Sequence, residues 1–590
     1  MTGPRRPTPA PDHHAPHIAA LIQAGRTEQA AAAALSWAAR APSDAEAQHH
    51  ASVTQHLLGR NDRALYYAQR AAGLEPSNPA RHHSLARCLY LNLRPADALQ
   101  AMDRAAHLAP RDPAILADYA TMLGGQRRYT DALRVTEQAL RHHPRAGALH
   151  MNKASILVST GRCDEAYALA TRIAQAVPTD LFSRSLRCLI SNYMDLPATE
   201  VLAVHQDFGA CLARARTPAV RPAPRAGPGR LRIAVVSADL RAHSVSFFLE
   251  PLLEHLDPAR VQVHVYHTNL LEDAVTQRLR RHAARWWVRN NAPAEEIARA
   301  VAADACDVMI DLGGHTSPQG LIASAFRPAP LQISWLGYPN TTGAPDIAWR
   351  IVDSATDPPG AEALATERLL RLDPCFLCYR PPDDAPPAPP LPQGPVTFAS
   401  FNSLQKINPH TASLWRRVLD AVPGARLLLK MTNVTEPALQ AHVRDRLAAW
   451  GLTPDRTTVL LSMESPTDHL RAYAPVHAAL DTFPYHGTTT TCEALWMGVP
   501  VVSLQGDRHA ARVGHSLLQA AGLPELAAHT EDEFVQKAAA VATDSARLHD
   551  LRASLRERLR TSPLCDAPAF AARFTDALEH LWRQTQGGAA

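Results

Sequence analysis

The sequence predicts an α-solenoid followed by two α/β domains. Three observations carry that prediction: a 34-residue repeat of small residues and prolines in the first third, alternating strand and helix patterns in the last two thirds, and two proline-rich breakers between the regions. At 590 residues the chain exceeds what one hydrophobic core serves, so several domains are expected.

Prolines 42, 76, 110, 144 and 178 recur every 34 residues, and alanines 30, 64, 98, 132 and 166 precede them by a constant twelve. Further small residues stand five before the proline (Ala71, Ala105, Ala139), and glycines seventeen before it (Gly25, Gly59, Gly161). Small residues where two helices cross, with a proline after the second helix, form the tetratricopeptide pattern. The array and its connecting helices are assigned to residues 10–212. Such an array stacks into a concave groove suited to an extended polypeptide, and arrays of this kind also serve as spacers or in self-association into homo-oligomers.

Residues 213–229 read as a linker, because "RARTPAVRPAPRAGPGRLR" (214–232) has six arginines, several prolines and no acidic residue. Beyond it, "RLRIAVVSADL", "VQVHVYHTN", "CDVMIDLGGH" and "LQISWLGYP" are short apolar runs with helical patterns between the earlier ones, as in a doubly wound parallel sheet over residues 230–380. The segment 381–395 is too proline-rich for helix or sheet and is read as a crossover. "VTFASFN", "TASLWRRVLDAV" and "ARLLLKM" open a second α/β lobe, residues 396–586, and two such lobes imply a cleft between them.

Charge and cysteine content narrow the function. A formal charge of +4, with basic residues dispersed, argues against nucleic acid as a partner. No apolar run approaches the roughly 20 residues that span a bilayer, and the N-terminus lacks the apolar core of a secretion signal, so a cytoplasmic protein without a membrane partner is expected. Nine cysteines scattered through helical patterns read as reduced thiols. Cys375 and Cys378 have zinc-like spacing but no second ligand pair, and no metal is expected.

The stretch "FPYHGTTTTCEALW" places Gly487, Thr488, Thr489 and Thr490 before an amphipathic helix. Amides at a helix start suit a phosphate or diphosphate, threonine hydroxyls add donors, and Glu493 one turn later can meet ribose hydroxyls. An ordinary capped helix is the competing reading. Lys406, between a strand and a helix, can neutralise a leaving diphosphate; His243 and His315 follow strands at the proposed cleft. With no Asp-x-Asp triplet in the chain, a transferase here would rely on Lys406 and the helix start, without a metal.

With these residues in view, the chain resembles the protein O-linked N-acetylglucosamine transferases and their SPINDLY-type relatives, glycosyltransferase family 41. The carriers are "FRPAPLQISWLGYPNTTGAPDIAWRIVDSATDPP", "FASFNSLQKINP" and "LDTFPYHGTTTTCEALWMGVPVVSLQGDRHAARVGHSLL", together with the repeats. The resemblance implies a two-lobed GT-B catalytic region built of Rossmann-like domains. It places Lys406 and Ser403 near the diphosphate, Thr488, Thr489 and Thr490 at the phosphates, Glu493 on ribose, His469 and Arg471 by the nucleoside, and His243 as proposed base. It further implies inverting, metal-independent transfer of N-acetylglucosamine from UDP-GlcNAc to serine or threonine, with no cofactor beyond this co-substrate. Thr488 replaces a histidine of the animal enzymes and Ser403 a glutamine, and the run is closer to the SPINDLY branch, whose plant member uses GDP-fucose. A protein O-fucosyltransferase, an N-linked glucosyltransferase and an inactive repeat scaffold are the rival expectations.

Overall fold

The computed structural model describes residues 14–215, 218–222, 229–431, 433–461, 463 and 465–587. It divides into two compact units, separated after Ile156.

The first unit is a run of antiparallel helices: His14–Gln23 and Thr27–Arg40, Ala45–Leu57 and Asn61–Leu74, Pro79–Leu91 and Pro95–Leu108, Pro113–Gly125 and Tyr129–His142. The 34-residue period is realised atom by atom. Ala30, Ala64, Ala98 and Ala132 are at most 1% exposed, because a larger side chain would hold the paired helices apart. Asp44, Asn78 and Asp112, one period apart, each accept a backbone N–H as side-chain caps of the first helix of a pair. Residues 25, 59, 93 and 127 all take positive φ in the turn between paired helices. Glycine fills two of them, while Leu93 (φ 56°) and Arg127 (φ 58°) adopt it with a Cβ.

The second unit opens with the helices Cys163–Ala176, Leu181–Ser191 and Ala198–Arg214 and then carries two parallel sheets. The first contains β1 (Leu231–Ser237), β2 (Val261–His267), β3 (Arg285–Val288), β4 (Val308–Asp311), β5 (Leu331–Ser334), β6 (Trp349–Val352) and β7 (Arg368–Arg371), in the order 3-2-1-4-5-6-7. The second contains β8 (Thr397–Ser400), β9 (Arg426–Lys430), β10 (Thr457–Leu460), β11 (Ala478–Leu480), β12 (Val501–Leu504) and β13 (Ala527–Ala528), in the order 10-9-8-11-12-13. Both are doubly wound, so each has a switch point beside its first strand where a ligand crevice opens at the strand ends.

Two of the expected boundaries move. The connecting helices do not belong with the repeats: Cys188, Val204, Phe208 and Leu212 share one buried cluster with Leu321, Ala325, Ala344 and Ile347 of the first lobe. Apolar burial, invisible in the repeat register, recruits them to the second unit. The C-terminal helix Ala567–Gly587 lies in the expected second lobe by sequence, yet Phe570 and Phe574 pack on Trp335 of the first lobe, and Arg260 pairs with Asp576 and Glu579. Residues 10–13, and within the expected linker residues 216–217 and 223–228, lie outside the described residues.

The lobes also meet through a buried ion cluster. Arg350 at β6 donates to Asp357 at 2.7 Å, and His509 from the loop after β12 meets the same carboxylate at 2.5 Å. The guanidinium and the imidazole hold Asp357 well below the usual carboxylate range against the opposing effect of burial.

Candidate active site

The second sheet gathers most of the expected residues after β8 (Ser403, Lys406), after β10 (His469) and after β11 (Gly487, Thr488, Thr489, Thr490, Glu493). Asp481, directly after β11, accepts from the backbone N–H of Gly487 at 2.7 Å and from Thr482 at 2.9 Å, and its other oxygen accepts from Ser503 at 2.8 Å. This anchors the loop that delivers the chain into the helix Thr489–Trp496. Thr488 stands at the N-cap, but no side chain among the described residues caps the helix, contrary to the competing reading of an ordinary capped helix. Thr490 donates to Asn402 Oδ1 at 3.0 Å and Thr491 to the Gly487 carbonyl at 3.1 Å, whereas the Thr489 hydroxyl is buried without a hydrogen-bond partner among the described residues. A buried orphan hydroxyl beside uncapped helix amides is the chemistry of an anion site.

Gly487 is required by the turn itself. A Cβ there would stand 2.5 Å from Thr490 Oγ1 and 2.9 Å from Thr491 Oγ1, so the first helical turn folds back over a residue with no side chain.

Lys406 ends a short 3₁₀ turn after β8, with Ser403 at its N-cap. Its ammonium donates to the His486 carbonyl at 2.6 Å and lies 4.0 Å from the Tyr485 ring centroid, immediately before the Gly487 turn. Burial lowers its pKa to about 8, with Asp481 opposing the fall. An ammonium held in low dielectric beside an uncapped helix start is matched to a diphosphate.

Glu493, one turn into the helix, accepts from His469 Nε2 at 2.8 Å. Lys430, the last residue of β9, donates to His469 Nδ1 and is pushed down to about 8 by burial, with Glu493 opposing. Phe401 packs beside this chain, its ring 5.9 Å from that of His469 and 4.4 Å from that of Tyr473.

Three expected residues stand elsewhere. His243 lies on the first lobe after β1, half-buried, with Nε2 3.8 Å from Asp239 and Nδ1 accepting weakly from Val245 N–H at 3.4 Å. Burial lowers its pKa, Asp239 opposes and Arg241 adds to the fall, which leaves a neutral imidazole able to take a proton. His315 does not line a cleft. It is 3% exposed, its Nε2 donates to the Thr342 carbonyl at 2.8 Å, its Nδ1 accepts from Ser185 at 2.9 Å, and it packs edge-on to Phe208 and Tyr338. With both nitrogens committed it joins the helix Leu181–Ser191 to the first lobe. Arg471 is two-thirds exposed and pairs with Asp468 on its own helix, away from the Glu493 group.

Among the described residues, Cys188, His205 and His315 form one group spaced for a metal, with ligand atoms within 4.8 Å of one another. Hydrogen bonds already use every imidazole nitrogen there: His205 bonds the Val201 carbonyl at 2.7 Å and the Tyr338 hydroxyl at 2.6 Å. The network is complete as it stands. Cys375 and Cys378 are buried free thiols, and Cys375 contacts Ser516.

The Glycosyl transferase family 41 profile matches residues 216–378 and 388–574, more than half of the chain, and a tetratricopeptide repeat profile matches residues 120–180. The chain belongs to glycosyl transferase family 41.

Within the family, the chain is 42% identical over 361 residues to the probable UDP-N-acetylglucosamine–peptide N-acetylglucosaminyltransferase SPINDLY of Solanum lycopersicum, covering 60% of this chain and 39% of that protein. It is 39% identical over 407 residues to the SPINDLY protein of Arabidopsis thaliana, covering 68% and 44%. The chain thus spans less than half the length of these curated relatives. A solved mutant of the O-GlcNAc transferase of Thermobaculum terrenum superposes with a TM-score of 0.81 at 33% identity, over 87% of this chain and 98% of that one.

Lys430, Asn402, Asp481 and Tyr485 are the site residues that sequence reasoning passed over. Lys430 and Asp481 end or directly follow strands of the second sheet, the position at which an open α/β sheet binds its ligand, so strand-end placement was the signal available for them. Nothing local marks Asn402 or Tyr485.

Proposed function

We propose that the chain is a protein O-glycosyltransferase that moves N-acetylglucosamine from UDP-GlcNAc to serine or threonine of a polypeptide, with inversion and without a metal or cofactor. The observation that carries this reading is the convergence, on one sheet edge of a family 41 chain, of the Lys406 ammonium, the uncapped helix start with its orphan Thr489 hydroxyl, and the Lys430–His469–Glu493 chain. Lys406 and the helix start would bind the diphosphate and carry the charge that grows on it as the glycosidic bond breaks. The acceptor hydroxyl attacks the anomeric carbon while His243, or a donor phosphate oxygen, receives its proton. Glu493 and His469 hold the nucleoside. The tetratricopeptide helices supply a groove for the acceptor polypeptide, and nine free thiols fit a reducing compartment such as the cytoplasm.

A second reading, transfer of fucose from GDP-fucose, rests on the resemblance of the run through Thr488, Thr489 and Thr490 to the SPINDLY branch; the chain is 39% identical to the SPINDLY protein of Arabidopsis thaliana and 28% to the SEC protein of the same plant. The test is release of nucleotide diphosphate from a panel of sugar nucleotides with a protein lysate as acceptor. Lysate-dependent release from UDP-GlcNAc is expected, and release from GDP-fucose alone selects the second reading. Silence from every donor, with no thermal shift by UDP or GDP, overturns both and leaves an inactive scaffold.

A further inference from the structure

Lys430 is 6% exposed at the end of β9, and nothing in the reading above requires it to touch a substrate. An ammonium has no lone pair, so in its contact with His469 the lysine is the donor and Nδ1 the acceptor. A neutral imidazole that accepts at Nδ1 carries its proton at Nε2, which faces Glu493 Oε2 at 2.8 Å. Lys430 therefore sets both the tautomer and the direction of the ring. The aromatic wall keeps the ring in place: Lys430 Nζ lies 5.6 Å from the Phe401 centroid, and Tyr473, packed on Phe401, donates to the Thr490 carbonyl at 3.3 Å.

The geometry points to Lys430 as a positioning residue of the nucleoside site: acting through His469, it aims the Glu493 carboxylate so that its remaining lone pairs accept from the ribose hydroxyls of the donor. This inference rests on the reading of Glu493 as the ribose ligand. The logic is that of a histidine whose second nitrogen is fixed by an outer partner, where loss of the partner costs roughly 10- to 100-fold in affinity although it touches nothing that binds. A misdirected carboxylate weakens the nucleoside end alone, because the diphosphate contacts belong to Lys406 and the helix start.

Lys430→Met tests this in the full-length chain. KM for the sugar nucleotide and Kd for UDP should rise by roughly tenfold, kcat should change by less than about twofold, and competition by inorganic pyrophosphate should be unaltered. Lys430→Arg, which restores a cationic donor, should recover most of the affinity. Nitrogen-15 spectra of histidine-labelled wild-type protein should show His469 as the Nε2–H tautomer, a measurement that needs no variant to fold. A His469 found as the Nδ1–H tautomer overturns the proposal, as does a loss in kcat at constant KM. Glu493→Gln separates the two possible failures. If it weakens UDP binding while Lys430→Met does not, the ribose reading stands and the positioning role is overturned. If Glu493→Gln binds UDP as the wild type does, the ribose reading falls and takes the positioning role with it.

Discussion

Lys406→Met should cost activity and gain stability, and the two effects come from the same burial. The folded protein lowers the lysine from 10.5 to about 8, chiefly by desolvation, with Asp481 opposing. At 1.36 kcal/mol per pKa unit the charged side chain costs the fold about 3 kcal/mol at neutral pH, offset in part by its hydrogen bond to the His486 carbonyl. The sign follows from the direction of the shift. A lysine whose folded pKa lies below its unfolded value destabilises the fold fully below about 8, and the cost fades as pH rises toward 10.5. Lys406→Met should therefore raise the denaturation midpoint at pH 7 and lose that advantage near pH 10, as measured by urea titration at several pH values. In catalysis, removing a preorganised donor to a developing anion costs roughly 100- to 1000-fold in kcat. Wild-type kcat/KM, which reports the free enzyme, should fall about tenfold per pH unit above about 8. Bound diphosphate raises the lysine pKa, so kcat should hold to higher pH. A variant with kcat within about threefold of wild type, or a wild-type kcat/KM that stays flat to pH 10, refutes the assignment.

Other substitutions probe the remaining parts. Thr489→Val removes a hydroxyl that bonds nothing among the described residues, so UDP affinity should fall roughly tenfold, the worth of one charge-assisted hydrogen bond, with no loss in thermal stability; calorimetry and thermal denaturation check both. His315→Leu strands the Ser185 hydroxyl and the Thr342 carbonyl, so it should destabilise the second unit by about 2–4 kcal/mol while the folded fraction keeps its turnover; a stable, inactive variant would return His315 to the catalytic group. Leu93→Gly relieves a left-handed backbone at an exposed turn and should stabilise the repeat unit by roughly 0.5–1 kcal/mol, read as a higher midpoint in chemical denaturation.

The second unit's parallel sheets and the repeat array were legible because both leave local signatures. A 34-residue register of Ala64, Ala98 and Ala132 has one physical solution, close helix crossing, and an apolar run such as that of β1 is buried on both faces only in a covered parallel sheet. The threonine run announced a helix start for the same reason, since uncapped amides and hydroxyls gather where a helix begins. His315 and Arg471 misled because a strand end and a motif neighbour give position along the chain and not the direction of a side chain: His315 turns inward to Ser185, 130 residues away, and Arg471 turns outward to Asp468.

By itself the sequence determined the solenoid, the two doubly wound lobes and the two strand-to-helix turns that carry Lys406 and Thr489, because helix period, strand burial and helix capping act over a few residues. Only the tertiary structure decided which lobe owns the helices Leu181–Ser191 and Ala198–Arg214 and the C-terminal helix. It alone joined Lys430, His469 and Glu493, drawn from β9 and two separate helices, into one hydrogen-bonded chain. Desolvation and side-chain direction depend on atoms that are distant in sequence, and no local pattern encodes them.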